Sequence, residues 1–311
     1  MKEPNRILFV SQQIYPFLDQ ETPIRTLNRK LPEWFQANGY ETRTFMPKFG
    51  DINERRNQLH EVIRLSGINL IISETDHPLI IKVASIQSAR IQIYFIDNDD
   101  YFYRRKGLVD ANGEEYKDND ERCIFFARGV LETVKKLRWV PEVIHCQGWI
   151  SSFIPMFIKT IYAEEPCFRD CRTVYTPSHP EMCSPVPQNM EGILNFSGVG
   201  AEKALEGIND CDNIQILNHM GIKWADGTAL LTADESLKQL AEKFGKPVLD
   251  PKEEAEWGTA YPEFYDFNTT SVSPFGRKQF IQLVCKLHCV CRNSRIVDVV
   301  LRNLEHCRLK S

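Results

Sequence analysis

The fold is decided by the segment that begins with RILFV at Arg6–Val10 and ends with ETRTFM at Glu41–Met46. Both runs have the apolar character of short buried strands. Between them, apolar residues recur at helical spacing over Ile24–Phe35, and Gly39 stands where a glycine commonly follows a helix. Pro32 lies inside this pattern and is expected to bend or break the helix. Strand, helix and strand form a βαβ unit, which predicts a parallel sheet with a right-handed crossover.

The rest of the chain extends this sheet. Four β-rich runs have no helix between them and predict hairpins or an antiparallel edge: Leu59–Leu65, Ile68–Ser73, Leu79–Ile86 and Ile91–Ile96. Further helices are predicted over Asp120–Leu137, Ile150–Tyr162 and Asp234–Phe244, and further strands over Val143–Cys146, Arg172–Thr176, Gly227–Thr232 and Pro247–Leu249. The predicted fold class is α/β, a Rossmann-like doubly wound sheet with an antiparallel β-rich insertion.

The composition is that of a globular protein, with 42% hydrophobic and 26% charged residues in a chain of 311. The net charge of -4 gives no support for nucleic-acid binding. No run of eighteen apolar residues predicts a membrane span, and the apolar run after Asn5 is too short for a signal peptide. We therefore expect a cytoplasmic protein with neither a membrane nor a nucleic acid among its partners.

A compositional boundary divides the sequence into a body, residues 1–268, and a tail, residues 269–311. The tail has a net charge of +6, whereas the body has -10, and the tail holds four of the ten cysteines. The stretch Tyr261–Asn268 is rich in Pro, Tyr, Asp and Asn, and is expected to end the body. Three interpretations of the tail stay open: a helix pair (Lys278–Val290, Arg295–Leu304), a metal site at Cys285, His288, Cys289, Cys291, His306 and Cys307, and an out-of-frame or disordered segment.

The metal interpretation is disfavoured because the tail lacks paired CxxC motifs. We favour an out-of-frame segment. In that case a further domain should be encoded in another frame just downstream of codon 268, and an intact frame with nothing downstream would exclude this interpretation.

Ligands of doubly wound folds bind at the carboxyl ends of the strands, which directs attention to the loops there. The loop Ser11–Phe17 contains no glycine, so it does not resemble a phosphate-cradling loop. Gly198-Val199-Gly200 lacks the third glycine of a dinucleotide fingerprint. The body also shows no set of metal ligands. We therefore predict neither a cofactor nor a metal ion.

Acidic, amide and aromatic side chains follow the strand that ends at Ile96. Asp97, Asn98 and Tyr101 offer the hydrogen-bonding groups and the ring that sugars require, although a solvated acidic turn is the simpler interpretation. Asp118–Arg122 opens the next helix, where Asn119 or Asp120 as the N-cap would explain the cluster without a ligand.

Two histidines lie at later strand ends. His145 and Trp149 flank the end of the strand Val143–Cys146, a favoured place for catalytic groups, although a single histidine is more often structural. His179 follows the strand Arg172–Thr176 between two prolines and is either a rigid loop residue or a ligand contact.

Five segments, in order and at matching spacing, resemble the glycogen/starch synthase family between about residues 6 and 180. They are Arg6–Val10 with Tyr15-Pro16-Phe17, Phe45–Gly50, Tyr94–Asn98, Asp118–Arg122 with Phe125-Phe126, and Val143–Trp149. A short bacterial subgroup, whose members end near the equivalent of Tyr265-Asp266, is the most similar. The resemblance implies one half of a two-domain glycosyltransferase that transfers glucose from ADP-glucose to an α-1,4-glucan.

The resemblance also implies roles for residues. In the family, this half mainly binds the acceptor, whereas the other half holds the donor nucleotide and an essential carboxylate. The matching acceptor-side positions are Asp97, Asn98, Tyr101, Asp118, Asn119 and Arg122, to which His145, Trp149 and His179 are added as substrate-binding candidates. The family's second His-x-His histidine, which lies beside the reacting sugar, is replaced by Gln147, and the following aspartate by Gly148. Gln147 is therefore the predicted catalytic position, at which the family's histidine is not retained.

The loop that touches donor phosphates in the family also departs from its pattern. Its Lys-Thr-Gly-Gly-Leu sequence is replaced within Leu18–Ile24, where two acidic residues would repel phosphate. Three functions remain open: a glucan synthase that needs a separate donor-binding chain, a non-catalytic module that binds α-glucan or a partner synthase, and an inactive remnant.

Overall fold

The computed structural model describes residues 5–18, 20–107, 109–177, 190–208 and 213–266. The chain divides into two units after Tyr261, and every strand of the described ranges belongs to the first. His179, the boundary at Asn268 and the tail 269–311 lie outside the described residues, so the expectations about them stay predictions.

The elements alternate as the sequence predicts. The strands are β1 (Arg6–Ser11), β2 (Glu41–Pro47), β3 (His60–Glu61), β4 (Ile68–Ile72), β5 (Thr75–Ile86), β6 (Ile91–Asp97), β7 (Val143–Gln147), β8 (Arg172–Thr176), β9 (Gly227–Ala229) and β10 (Val248–Leu249). The helices are α1 (Pro23–Ala37), α2 (Asn119–Leu137), α3 (Ile154–Lys159), α4 (Met190–Phe196), α5 (Ala201–Leu205), α6 (Asn213–Trp224), α7 (Glu235–Lys243) and α8 (Trp257–Tyr265).

One mixed sheet organises these elements. Its order is β10-β9-β8-β7-β1-β2-β6-β5-β3, with β4 paired to β5. The strands from β10 to β6 run parallel, whereas β5 pairs antiparallel with β6, β3 and β4. The predicted α/β class and the antiparallel insertion are confirmed.

Helices cover both faces of the sheet. On one face, Phe9 of β1 packs against Phe35 of α1, with their rings 5.8 Å apart. On the other face, α2 crosses β5 and β6 so closely that a Cβ at Gly129 would lie 3.0 Å from Leu79. Alternate residues of each central strand therefore enter two separate apolar layers, as burial on both faces requires.

Helix α1 shows why the local pattern succeeds. Thr22 caps it by accepting a hydrogen bond from the Arg25 amide (3.4 Å), and Pro23 begins it. Gly39, with φ of +86°, follows it as predicted. Pro32 lies inside the helix without ending it, because the neighbouring apolar residues of the turn, Leu31 and Phe35, are fully buried and hold it against the sheet.

Several predicted boundaries are wrong. The helix expected over Ile150–Tyr162 is a 3-10 turn, Trp149–Ser151, followed by the short α3, whose start is set by Pro155 near its N-terminus. The stretch from Tyr261, for which no helix was predicted, contributes to α8. The run Leu59–Leu65 contains only the two-residue strand β3. Helices α4, α5 and α6 were not predicted.

In the described part of the chain, none of the helices combines the length and apolar character needed to cross a membrane.

Candidate active site

The candidate site lies where β1, β7 and β8 end side by side. Ser11, Gln147 and Thr176 are register partners across these three strands, and all three side chains are fully buried. Ser11 Oγ donates a hydrogen bond to Gln147 Oε1 (2.6 Å). Gln147 Nε2 has no hydrogen-bond partner among the described residues. Because an unpaired buried donor costs about 1–3 kcal/mol, this amide is a position at the strand ends where an acceptor from a ligand would be stabilising.

The turn after β7 is built around Gly148 and Gln12. Gly148 has φ of +87°, and its amide donates to the Thr176 carbonyl (2.9 Å). Gln12 Oε1 accepts the Trp149 amide (3.1 Å) and lies only 1.9 Å from the position that a Cβ on residue 148 would take. Gln12 therefore occupies the space that the side chain of the family's aspartate would need at position 148.

His145 lies two residues before Gln147 and is fully buried. Its Nε2 is 2.8 Å from Thr176 Oγ1, and its ring lies 6.1 Å from the Phe9 ring and 5.8 Å from the Tyr261 ring. Burial lowers the pKa of His145 to about 3. The imidazole is therefore neutral near pH 7 and packs as part of the core layer beneath α1.

The loop after β6 is held by its own side chains. Asn98 Oδ1 accepts the amides of Asp100 (2.9 Å) and Tyr101 (3.2 Å), and Asn98 Nδ2 donates to the Pro78 carbonyl (2.9 Å). Asp97 pairs with Lys82 at 2.8 Å. These contacts give Asp97 and Asn98 a role in shaping the loop.

The Asp97 pair belongs to a larger ionic cluster. Glu54 accepts from Lys82 (2.7 Å) and pairs with Lys48 (3.0 Å), which is itself buried. Hydrogen bonds and charge pairing with the two lysines outweigh the effect of burial and lower the pKa of Glu54. The cluster is thus charge-balanced at the carboxyl ends of β2 and β6.

Arg122 is a fully buried cation on α2. Its Nε donates to the Tyr101 carbonyl (3.0 Å), and its Nη1 donates to the Gly107 carbonyl (2.6 Å) and to Asn119 Oδ1 (2.7 Å). Burial lowers its pKa to about 10, so it stays charged at neutral pH. The guanidinium lies 5.0–6.0 Å from the ring centres of Phe49, Phe102, Tyr116 and Trp149.

The start of α2 differs from the expected capping. The N-cap residue is Asp118, not Asn119 or Asp120, and it makes no side-chain capping bond. Its carboxylate pairs with Arg105 instead. Asn119 Oδ1 accepts a hydrogen bond from Arg122, as described above. The acidic cluster of this segment is therefore explained by contacts within the protein rather than by capping.

Arg122 connects several of the predicted site residues. It contacts Tyr101, Asn119 and Trp149, and Trp149 follows Gln147 at the end of β7. His145 lies apart from this group in the core layer. Ser11 and Gln12 were not predicted, although they begin the loop that strand-end reasoning singled out.

Asp120→Asn is expected to stabilise the protein at neutral pH. Asp120 is buried, and burial together with the charges of Glu121 and Asp118 raises its pKa to about 6. The contribution of this group to stability is therefore fully present below its ordinary pKa of 3.8 and is lost as the pH rises through about 6. We expect the variant to gain about 1–2 kcal/mol at pH 7.5, where the buried charge is removed.

Urea unfolding at several pH values measures this gain, with the exposed Asp99→Asn as the control. The gain should shrink as the pH falls toward about 4. A gain of the same size at both ends of this range would contradict the assignment.

The described part of the loop after β1 contains no lysine or arginine, and Arg25 at the start of α1 is already hydrogen-bonded. Arg25 Nε donates to Gln13 Oε1 (2.9 Å), and its Nη1 donates to the Gln20 carbonyl (2.6 Å). Glu21 accepts a hydrogen bond from Thr26 (3.0 Å) and adds a negative charge. The described part of this loop is therefore held by its own side chains.

Comparison with known proteins gives consistent results. Residues 6–244 match the family described as starch synthase catalytic domain. Glycogen synthase of Chlorobium limicola is 38% identical over 249 residues, which cover 77% of this chain and 49% of that protein. Glycogen synthase of Pelodictyon phaeoclathratiforme is 39% identical over 172 residues, 55% of this chain and 35% of that protein.

Among solved structures, the catalytic domain of Starch Synthase IV from Arabidopsis thaliana bound to ADP and acarbose is similar, with a TM-score of 0.63. The match is 14% identical and covers 80% of this chain and 51% of that chain, so it supports the fold. The chain spans less than half of the length of the two curated relatives.

Proposed function

Since the chain belongs to the starch synthase catalytic domain family, we propose that it is the glucan-binding half of an α-glucan synthase. The resemblance seen in the sequence is confirmed by the family match and by relatives named glycogen synthase. The acceptor would be an α-1,4-glucan, and the donor ADP-glucose. Because the chain spans less than half of its curated relatives, transfer would require donor-binding residues from the remaining half of the family's architecture, in the same or in a separate polypeptide.

The observation that carries this proposal is the orphan amide of Gln147. Ser11 Oγ donates a hydrogen bond to Gln147 Oε1. Gln147 Nε2 would then donate a hydrogen bond to a hydroxyl oxygen of the glucan. An amide does not titrate, so at this position the chain would orient the acceptor without moving a proton. Asp97, Asn98, Tyr101, Asp118, Asn119, Arg122 and Trp149 would support the acceptor surface mainly by holding the loops around it.

Gln147→Leu is expected to weaken glucan binding about threefold to tenfold, because one hydrogen bond worth about 1 kcal/mol is lost. Retardation by glycogen in native affinity electrophoresis measures the dissociation constant of the full chain. Gln87→Leu, an exposed glutamine in the turn after β5, is the matched control and should bind as the wild type does.

Thermal unfolding of both variants separates misfolding from lost contacts. Equal retardation of the wild type and Gln147→Leu would exclude Gln147 from the acceptor site. No retardation of the wild type at any glycogen concentration would overturn the proposed function itself.

A second candidate is a non-catalytic module that binds glucan or a partner synthase. It is favoured by the loop after β1, where Arg25 is already paired and Glu21 is acidic. Incubation of the chain with ADP-glucose and glycogen, with and without a donor-binding synthase half, distinguishes the two. Incorporation only in the mixture supports the synthase half, whereas none in either supports the module.

A further inference from the structure

A surface cavity lies on the solvent-facing side of α2, away from the carboxyl ends of the strands. Its volume is about 470 Å³, and its walls come from β4, α2, the segment after α3 and the end of α4. Glu132 of this cavity lies about 20 Å along the helix axis from Asn119, where α2 begins. The cavity is therefore separate from the candidate active site, and its volume is that of a small-molecule site.

Three large apolar side chains are exposed around this cavity. Ile71 is 48% exposed, Ile161 is 38% exposed and Phe196 is 46% exposed. They are three of the seven large apolar side chains that are exposed in the described part of the chain. Exposed apolar residues that cluster in this way mark a binding site, whereas isolated ones do not. Phe196 adds an aromatic ring, against which the apolar face of a sugar can pack.

The polar side chains of the cavity contact one another. The Tyr162 hydroxyl donates a hydrogen bond to Glu132 Oε1 (2.7 Å). Lys135 Nζ lies 2.9 Å from Glu165 Oε1 and 3.5 Å from Glu132 Oε1. These contacts hold the two carboxylates in place through their Oε1 atoms. Their Oε2 atoms can therefore accept hydrogen bonds from the hydroxyls of a ligand.

Arg128 supplies a hydrogen-bond donor to the same cavity. Its Nη1 donates to the Ile71 carbonyl (2.9 Å), which fixes the guanidinium against β4. Its Nε is buried and forms no hydrogen bond with the residues that the structure describes. Because a buried donor without a partner is destabilising, an acceptor oxygen from a ligand would be stabilising at this atom.

The formal charges of the cavity balance. Arg128 and Lys135 are cationic, and Glu132 and Glu165 are anionic, so the four side chains sum to zero. An anionic ligand would meet two carboxylates, and a cationic ligand would meet two cations. A neutral ligand that carries many hydroxyl groups avoids both repulsions and can use the donor and the acceptors together.

We propose that this cavity is a second glucan-binding site, which binds glucose units of the same α-1,4-glucan as the strand ends. The apolar face of a glucose ring packs on Phe196 and Ile161, while its hydroxyls contact Arg128 Nε and the two glutamates. This role rests on the proposed function, because the ligand is the acceptor of that function. A long chain reaches both sites and gains affinity from the second one, whereas maltotriose is too short to join them.

Methyl NMR of the full chain labelled at isoleucine tests the site with maltotriose as the probe. The δ1-methyl resonances of Ile71 and Ile161 are assigned by their loss in Ile71→Val and Ile161→Val. We expect both resonances to shift as maltotriose is added. Ile63, which is 83% exposed but lies outside the cavity, is the internal control, and its resonance should stay in place. Unchanged cavity resonances up to the solubility limit of maltotriose would overturn the inference.

Glycogen retardation of Phe196→Ala tests the contribution of the cavity to polymer binding. We expect the dissociation constant to rise about threefold to tenfold, the range for the loss of one aromatic packing contact. Val140→Ala changes an apolar side chain that is 44% exposed outside the cavity, so this control should bind as the wild type does. Thermal unfolding of both variants separates a lost contact from misfolding.

The outcomes distinguish the second site from the proposed function. If the wild type is retarded by glycogen but Phe196→Ala is retarded equally, the second site is overturned and the proposed function stands. If the wild type shows neither retardation nor shifted cavity resonances, both are overturned. A dimer in light scattering that Phe196→Ala dissociates, with cavity resonances that maltotriose leaves unchanged, would assign the cavity to a second copy of the chain and overturn the glucan site.

Discussion

Arg122→Met is expected to lower the free energy of unfolding by about 3–5 kcal/mol, the range for breaking a buried, hydrogen-bonded charge site. The change removes the donors that satisfy the Tyr101 carbonyl and Asn119 Oδ1, which are buried, and the partly buried Gly107 carbonyl. It also removes the cation from four aromatic rings. Methionine fills much of the volume, so most of the loss should come from unpaired acceptors.

Urea unfolding of the full chain measures this loss, and Arg43→Met is the matched control. Arg43 also lies over two rings, Tyr94 (5.9 Å) and Trp139 (5.0 Å), but it is partly exposed. Its replacement should cost only about 1 kcal/mol, typical of a partly exposed cation–π contact. If both variants lose the same free energy of unfolding, the hydrogen bonds from Arg122 to the carbonyls do not account for its contribution to stability.

Gly148→Ala is expected to cost about 2–5 kcal/mol, although it adds a single methyl group. About 1–2 kcal/mol would come from placing a side chain at φ of +87°. A further 1–3 kcal/mol, roughly, would come from displacing Gln12, whose Oε1 satisfies the buried Trp149 amide. The family's aspartate at this position should be less tolerated still.

Gly67→Ala isolates the strain term, because Gly67 has φ of +85° and no atom within 4 Å of the added Cβ. The difference between the two variants gives the cost of moving Gln12. In a double-mutant cycle, Gln12→Ala should relieve part of the Gly148→Ala penalty, with a coupling energy of about 1 kcal/mol or more. Additive effects would show that Gln12 and residue 148 do not compete for space.

The central parallel sheet could be predicted because its signals are local. The strand β1, the helix α1 with Gly39 after it, and the strand β2 are each recognisable within a few residues. Helices α4, α5 and α6 were missed because the positions of their apolar residues are set by contacts with other elements of the fold rather than by a regular helical repeat. Gly221 of α6, for example, is required by the Tyr175 side chain, which would lie 2.4 Å from a Cβ there.

The candidate site was located by sequence but not understood from it. Strand-end reasoning led to Asp97 and Asn98, and similarity to the family supplied their expected roles and added Gln147. The sequence did not show that the Asn98 side-chain amide forms hydrogen bonds within and beside its own loop, or that burial keeps His145 neutral in the core. Those properties depend on burial and on partners from other elements.

By itself, the sequence determined the α/β class, the order of the central elements and the family. Periodicity, glycine positions and short motifs each lie within a continuous segment, so they can be recognised without the fold. Only the tertiary structure decided what the site residues can do. Ser11 and Gln147 are 136 positions apart, yet their contact leaves one amide donor without a partner. Hydrogen-bond accounting requires every neighbour in space to be known, and folding brings these neighbours from distant parts of the chain.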